Sequence, residues 1–263
     1  KKIVNALIQD AAKNNDKPSP LINGNKPADF YEGKYGIDIE NISADTPIFT
    51  MASRLDSQKG FETMVDAYAI LSKNYAKNPS KLPVLLISGG GDENIANYIK
   101  NAKDELGIMG RRILFTQNRI SEPGLLLMNM TTRNCMPSDF EPYGISELKG
   151  LYAGSHVIAT EVGGMQSSGE ISRKIYSYDD YGADKANAIT VKDYDFICIA
   201  PEWEKPLLRE KNAQKLALAM QKDINLSKEE ALKMDLNALK TDVSWDKGAI
   251  QNYLEQMKIK TTK

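Results

Sequence analysis

The sequence predicts an α/β fold built on a doubly wound parallel sheet. Short apolar segments alternate along the chain with longer segments of helical periodicity. The apolar segments lack polar–apolar alternation, which is typical of strands buried on both faces of a parallel sheet. Strands that alternate with helices form right-handed βαβ units, and such units place helices on both faces of one sheet.

The first half of the chain carries the clearest strand–helix alternation. In chain order we predict strands at 47–53, 83–88 and 112–116, and helices at 1–13, 61–74, 93–105 and 125–130. The helix at 61–74 is amphipathic, with Phe61, Met64 and Val65 on its apolar side. The glycine run at 89–91 predicts a turn only, because it lacks the Gly-Lys-Ser/Thr of a phosphate-binding loop.

The second half contains short predicted strands and longer predicted helices. We predict strands at 134–137, 157–160 and 196–200, and helices at 207–222, 227–240 and 246–257. Ser227 and Glu230 have the spacing of a capping box, which favours a helix that begins at this point. Residues 166–188 are rich in Ser, Tyr and Asp, and we predict that they form a long surface insertion.

Composition and charge argue against several classes of protein. The formal net charge of −1 argues against bulk electrostatic binding of nucleic acid or of a membrane surface. Cys135 and Cys198 are too few for a disulfide framework, and no apolar run is long enough to span a bilayer. The first residues do not resemble a signal peptide. We therefore expect a cytoplasmic location, or a plastid-like compartment if the source is eukaryotic.

Residues 136–165 are the segment around which the functional predictions are organised. Pro142 disfavours helical geometry at Glu141, and Gly144 permits close approach of a ligand to the backbone. Helix-forming residues follow from Ile145, so we predict a helix that begins near Gly144. The first amides of such a helix lack intrahelical partners and form an anion site. This anion site with one carboxylate beside it suits a phosphate-bearing ligand that also carries a group which a carboxylate can hold.

Two cations follow the first predicted strand. Arg54 and Lys59 lie five residues apart in one loop. A pair of cations can clamp a diphosphate and stabilise a departing nucleotide. The alternative is two solvated surface charges, which is the commoner situation for Arg and Lys in loops.

Three segments together resemble one enzyme family, in the family's order and at similar spacing. Residues 140–148 read FEPYGISEL and resemble the donor-binding loop FEPCGLTQL of bacterial glycogen synthases and plant starch synthases. Residues 53–60 read SRLDSQKG and resemble the family's SRLTxQKG. Ser244, Trp245 and Asp246, followed by an apolar helix pattern with Tyr253, resemble its SWxxxAxxY motif. The resemblance covers nearly the whole chain.

The resemblance implies catalytic roles for three side chains. It implies that Arg54 and Lys59 contact the diphosphate of the donor, which favours the clamp over two solvated charges. It implies that Glu141 faces the donor sugar. There the carboxylate would hold sugar hydroxyls and offset positive charge that develops at the anomeric carbon.

The resemblance also implies binding roles for backbone groups. Tyr143 and Gly144 would offer their N–H groups to the sugar, and Ile145 and Ser146 would offer theirs to the phosphates. These roles tolerate side-chain change, so the interpretation holds although Tyr143 replaces the family's cysteine.

A glycine pair later in the chain resembles the family's ETGGL segment. The resemblance implies that Gly163 and Gly164 also bind substrate, although an ordinary strand-to-helix turn is an almost equally good interpretation. After this pair the sequence departs from the family, because residues 166–169 read QSSG in place of an Asp-Thr-Val continuation. The acceptor-side and ribose contacts are therefore left open.

The family's architecture implies how the chain is organised. The resemblance implies the C-terminal half of a two-domain retaining glycosyltransferase with Rossmann-like domains, which transfers glucose from ADP-glucose to an α-1,4-glucan. The base of the donor is left open, so the expected partner is ADP-glucose or UDP-glucose. We expect a linker and helix at 1–20, a nucleotide-sugar-binding domain at 21–245, and a helix at 246–263 that crosses back to an N-terminal domain. We expect that N-terminal domain, with the acceptor contacts, to be missing, so that this chain alone turns over negligibly.

Two alternatives stay open. One is a retaining transferase of the same fold that uses another nucleotide sugar and acceptor. The other is a non-catalytic nucleotide-sugar-binding module. We expect no cofactor, no nucleic-acid partner and no metal, since no cluster has metal-ligand spacing. His156 is the single histidine, and its place before a buried strand predicts a structural role.

Overall fold

The computed structural model describes residues 30–38, 42–43, 45–117, 133–141, 145–163 and 175–241. These residues contain a six-stranded parallel sheet, which confirms the predicted doubly wound α/β fold. Its strands are β1 (Ile48–Ala52), β2 (Val84–Ser88), β3 (Ile113–Thr116), β4 (Arg133–Met136), β5 (Val157–Thr160) and β6 (Ala188–Val191). All five residues of β2 are buried, as expected for a central strand covered on both faces.

Helices cover both faces of the sheet. The described residues form α1 (Phe61–Ser72), α2 (Glu93–Glu105), α3 (Ile145–Tyr152), α4 (Tyr178–Lys185), α5 (Lys205–Asn225) and α6 (Lys228–Lys240). α1 packs against α2 and α5, whereas α6 packs against α3 and α4. Right-handed crossovers place these two groups on opposite faces, so the sheet is enclosed. No helix in the described parts of the chain is long and apolar enough to cross a membrane.

The strand order reverses between β1 and β4. Across the sheet the order is β3-β2-β1-β4-β5-β6, so the chain leaves β1 towards one edge and leaves β4 towards the other. In sheets of this kind, ligands bind in the crevice outside the carboxyl ends of the strands at the point of reversal. The loops that follow β1 and β4 therefore border this crevice, and they contain Lys59 and Glu141.

Two predictions for the second half of the chain were wrong. The strand predicted at 196–200 is a 3-10 turn at Ile197–Ile199, and the sixth strand is β6. That turn has no buried side chain, so its apolar sequence did not signal burial. The predicted insertion at 166–188 contains helix α4. None of the side chains of α4 is buried, so its sequence lacks the apolar periodicity that predicts a helix.

The remaining described elements lie close to their predicted positions. The capping box at α6 is confirmed: the N–H of Glu230 donates to Ser227 Oγ at 3.2 Å, and the N–H of Ser227 donates to Glu230 Oε2 at 2.9 Å. The helices predicted at 1–13, 125–130 and 246–257, and the segments 1–20 and 246–263, lie outside the described residues.

His156 is buried in a cluster of charged side chains. Its Nδ1 lies 2.7 Å from Asp235 Oδ1, and its Nε2 lies 2.6 Å from Asp223 Oδ1. Arg133 contacts both carboxylates, at 3.1 Å from Asp223 and 3.5 Å from Asp235. Burial raises the pKa of Asp235, but the His156 hydrogen bond and the Arg133 charge outweigh burial, so this pKa lies below its usual value.

The charged cluster lies at the amino-terminal edge of the sheet, on the opposite side from the crevice. It joins the start of β4 and the residue before β5 to helices α5 and α6. It also lines part of a cavity of about 460 Å³. The contacts support a structural role for His156, since they bind two strands to two helices.

Replacement of His156 by leucine should lower the free energy of unfolding by about 3 kcal/mol or more, because it removes a buried partner of both Asp223 and Asp235 and leaves the two carboxylates to share Arg133. Urea unfolding at pH 7 measures this loss. The control is Lys228→Met, which removes an ion pair with Asp45 whose side chains are 93% and 80% exposed. Such a pair contributes at most about 1 kcal/mol. Equally small losses in both variants would contradict the structural role.

Candidate functional site

A 3-10 turn at Ser57–Lys59 shapes the loop that follows β1. Asp56 caps this turn, because its Oδ1 accepts a hydrogen bond from the N–H of Gln58 at 3.2 Å. Its Oδ2 accepts a hydrogen bond from Arg54 Nη2 at 2.8 Å. The Arg54 side chain is 69% exposed, so the structure places this predicted catalytic residue at the surface of the loop, beside Asp56.

Lys59 reaches across the crevice to Glu141. Its Nζ lies 2.5 Å from Glu141 Oε2, and the two residues are 82 positions apart in the sequence. Their side chains are only 15% and 10% exposed, so the ion pair is partly desolvated and stronger than a surface pair. The structure therefore brings together two of the three side chains that the sequence predicted to be catalytic.

The loop after β4, residues 137–141, packs directly against the loop after β1. Gly60 has a left-handed backbone, with φ of 74°, and a Cβ at this position would lie 2.0 Å from the carbonyl oxygen of Pro137. The N–H of Asp139 donates to the carbonyl of Gln58 at 2.9 Å. The two loops thus touch through their backbones, and glycine is required at position 60 for this approach.

The loop after β4 packs equally closely against the loop after β5. Thr160 Oγ1 donates to the carbonyl of Ser138 at 2.7 Å. Gly163 has a φ of 51°, and a Cβ there would lie 2.3 Å from the carbonyl oxygen of Glu141. Contacts on both sides therefore hold the backbone of Glu141. Gly163, which the sequence predicted to bind substrate, therefore lies beside the backbone of Glu141.

Helix α3 begins four residues after Glu141. Ile145 and Ser146, which the sequence predicted to contact phosphates, are its first two residues. Backbone N–H groups in the first turn of a helix lack intrahelical partners and favour anions. Tyr143, Gly144 and Gly164 lie outside the described residues, and their roles stay predictions.

Asp139, which no sequence motif singled out, lies inside the site. This residue is 1% exposed, and its Oδ2 accepts a hydrogen bond from the N–H of Cys198 at 3.0 Å. The available signal was a second acid in the loop that contains Glu141. The sequence did not show that this carboxyl is buried, since the turn that covers it lies far along the chain.

The arrangement suits an anionic ligand that also carries hydroxyl groups. Lys59 and the first amides of α3 attract phosphate oxygens, whereas Glu141 accepts hydrogen bonds from hydroxyls. In the described ranges, no group of three or more His, Cys, Asp and Glu side chains is placed to hold a metal ion.

The fold is shared with solved structures of other proteins. A sucrose-phosphate synthase from Thermosynechococcus elongatus has a TM-score of 0.56 over 85% of this chain and 48% of its own, at 23% identity. An E. coli trehalose-6-phosphate structure with bound UDP-2-fluoro glucose has a TM-score of 0.54 over 82% of this chain and 44% of its own, at 10% identity. At these identities the likeness concerns the fold alone.

Sequence comparison shows the family. Residues 37–168, half of the chain, match the family of glycosyl transferases group 1, and the chain belongs to this family. The glycogen synthase of Clostridium botulinum (strain Alaska E43 / Type E3) is 28% identical over 253 residues, which are 93% of this chain but 46% of that relative. The chain thus spans about half the length of the curated relatives it matches.

The contact between Gly60 and Pro137 predicts a large cost for Gly60→Ala. The added Cβ would meet the Pro137 carbonyl at 2.0 Å, so the two loops would have to separate. The matched control is Gly36→Ala, because Gly36 has a φ of 73° and nothing within 4 Å of the added Cβ. The control should cost about 1 kcal/mol, and Gly60→Ala should cost at least about 2 kcal/mol more. Equal costs in urea unfolding would contradict the close packing.

Proposed function

We propose that this chain is the donor-binding, C-terminal half of a retaining glycosyltransferase that transfers glucose from ADP-glucose to an α-1,4-glucan. The family supports glycosyl transfer, and the glycogen synthase relatives support this donor and acceptor. The observation that carries the proposal is the Lys59–Glu141 pair, which joins the two loops at the reversal of strand order.

Lys59 has the position of a phosphate ligand in this proposal. Its ammonium group lies in the crevice where doubly wound sheets bind nucleotides, and it is partly shielded from water. The first amides of α3 add a second source of positive potential, and Arg54 adds an exposed cation on the loop of Lys59. A diphosphate would replace Glu141 as the partner of Lys59, so the lysine charge would stay paired.

Glu141 has the position of a sugar ligand in the same proposal. Once Lys59 binds phosphate, the Glu141 carboxylate can accept hydrogen bonds from the hydroxyls of the donor glucose. A fixed negative charge near the anomeric carbon stabilises the positive charge that develops there as the nucleotide leaves. The contacts of residues 137–141 with both neighbouring loops support this role, since catalysis by a fixed charge requires a rigid backbone.

The remainder of the active site belongs, in this proposal, to a second domain. The chain spans about half the length of its glycogen synthase relatives, which leaves room for a domain of similar size. We propose that residues 21–245 form the donor domain, that 1–20 and 246–263 connect it to the other domain, and that the other domain binds the glucan. Glucan elongation would then require both halves.

A uridine nucleotide sugar is the second candidate for the donor. The E. coli trehalose-6-phosphate structure with the same fold holds UDP-2-fluoro glucose. Lys59, Glu141 and the start of α3 would treat the diphosphate and glucose of either donor alike. The choice between adenine and uracil thus depends on other residues, and a titration with both nucleotides decides it.

Loss of the Lys59 charge should weaken nucleotide binding. We expect ADP or UDP to bind this chain in calorimetric titrations, and Lys59→Met to weaken that binding about ten- to a hundredfold, as expected for charge-assisted hydrogen bonds to phosphate. Arg54→Ala should weaken it less, because Arg54 is exposed and paired with Asp56.

Lys228→Met is the control for the loss of one positive charge, because Lys228 lies on α6 and is 93% exposed. Its affinity for ADP and UDP should equal that of the unmodified chain. An equal affinity for Lys59→Met would overturn the phosphate role of Lys59.

Glu141→Gln should change the preference between nucleotide and nucleotide sugar. The substitution keeps the size of the side chain but removes its charge, so we expect ADP-glucose binding to weaken about three- to tenfold relative to ADP binding. The ratio of the two dissociation constants cancels any effect of releasing Lys59, since both ligands carry the diphosphate. An unchanged ratio would show that Glu141 does not contact the sugar.

A further inference from the structure

Asp139 lies at the junction of three loops beside the Lys59–Glu141 pair. Its backbone N–H donates to Gln58 in the Ser57–Lys59 turn at 2.9 Å, and its side chain accepts the N–H of Cys198 in the Ile197–Ile199 turn at 3.0 Å. The two turns also contact each other. Asp139 therefore connects the turn that carries Lys59 to a turn more than a hundred residues later in the chain.

Polar contacts, and not apolar burial, hold these two turns in place. Neither the Ser57–Lys59 turn nor the Ile197–Ile199 turn contains a buried residue, and Ile199 is 81% exposed. Near the second turn, Tyr194 also donates a hydrogen bond to the Pro137 carbonyl at 3.1 Å. Contacts with residues 137–139 and with helix α5 together set the position of the Ile197–Ile199 turn.

The carboxyl group of Asp139 is buried with incomplete hydrogen bonding. Within the described residues its Oδ1 has no hydrogen-bond partner, and neither has the adjacent Ser138 Oγ. Burial raises the pKa of Asp139 to about 7, and the amides of Cys198 and Ile197 offset only part of that effect. Near neutral pH this acid therefore exists both with and without its proton.

The charged and titratable groups around Asp139 come from two directions. Glu62, in the first turn of α1, adds negative charge and favours the protonated acid. The Tyr194 hydroxyl and the Cys198 thiol lie near enough to interact with the Asp139 charge, and burial, followed by that charge, raises the pKa of each. Burial and the charge of Glu62 therefore favour a neutral Asp139 while the two turns are in contact.

We propose that Asp139 is a proton-dependent positioning residue: with its proton it keeps the two turns together, and loss of the proton favours their separation, which displaces Lys59. The consequence for a nucleotide sugar rests on the proposed function, whereas the movement of the turns does not.

The direction of the pH effect follows from linkage. The buried acid keeps its proton up to about pH 7, whereas an aspartate in water loses it near pH 4. Between about pH 4 and pH 7, Asp139 therefore binds its proton more tightly while the two turns are in contact than after they separate. Raising the pH through 7 therefore favours opening, by about tenfold between pH 6 and pH 8.

Hydrogen exchange of the whole 263-residue chain at pH 6, 7 and 8 tests the proposal, with rates corrected for the intrinsic effect of pH. Protection should fall about tenfold towards pH 8 both at 57–60 and at 196–200, while β1 stays protected. Asp139→Asn, a neutral mimic of the protonated acid, should remove this pH dependence. Asp195→Asn should keep it, because the Asp195 carboxylate contacts Lys215.

Three outcomes would overturn the proposal. They are protection at 196–200 that does not change with pH, a change at 196–200 without one at 57–60, and a pH dependence that survives in Asp139→Asn. The wild-type pH series decides the first two outcomes even if the Asp139 variant does not fold.

Titration with ADP-glucose and UDP-glucose at pH 6 and pH 8 separates this proposal from the proposed function. These diphosphates have no terminal phosphate that titrates in this range, unlike ADP and UDP. We expect weaker binding at pH 8 in the wild type and equal binding at both pH values in Asp139→Asn. If neither ligand binds the wild type, the proposed function fails for this chain, and the exchange data still decide the role of Asp139.

Discussion

The packing of residues 137–141 between two neighbouring loops is the constraint on which the site depends. Gly60 and Gly163 both allow a backbone carbonyl of this segment to approach within a distance that excludes any side chain. Close-packed contacts of this kind leave the segment little freedom to move. The position of the Glu141 backbone is therefore fixed before a ligand arrives.

The Lys59–Glu141 pair also shows how a partly buried site can be stable without a ligand. Each charge would be costly to bury alone, and each compensates the other at 2.5 Å. A ligand with a diphosphate and hydroxyl groups would offer both residues new partners at once. In the proposed function, binding exchanges one set of paired charges for another, which limits the desolvation cost of opening the pair.

Fold and sequence support the functional proposal at different levels. The shared fold extends to proteins at 10% identity, and a fold of this kind hosts many reactions. The family match is to glycosyl transferases, and it supports the proposed reaction, whereas the donor and the acceptor are part of the proposal. Because the chain spans about half of those relatives, the residues described here account for one side of the proposed reaction.

The sequence by itself determined the parallel strands β1 to β5 and the capping box at Ser227. It also determined that Lys59 and Glu141 lie in loops that follow strands. These features depend on neighbours a few positions away, which periodicity and local motifs record. Tertiary structure alone decided that β6 forms one edge of the sheet, that Lys59 pairs with Glu141 and that Asp139 is buried. The partners in these contacts lie tens of residues apart, so their burial and charge are set by packing that no local pattern contains.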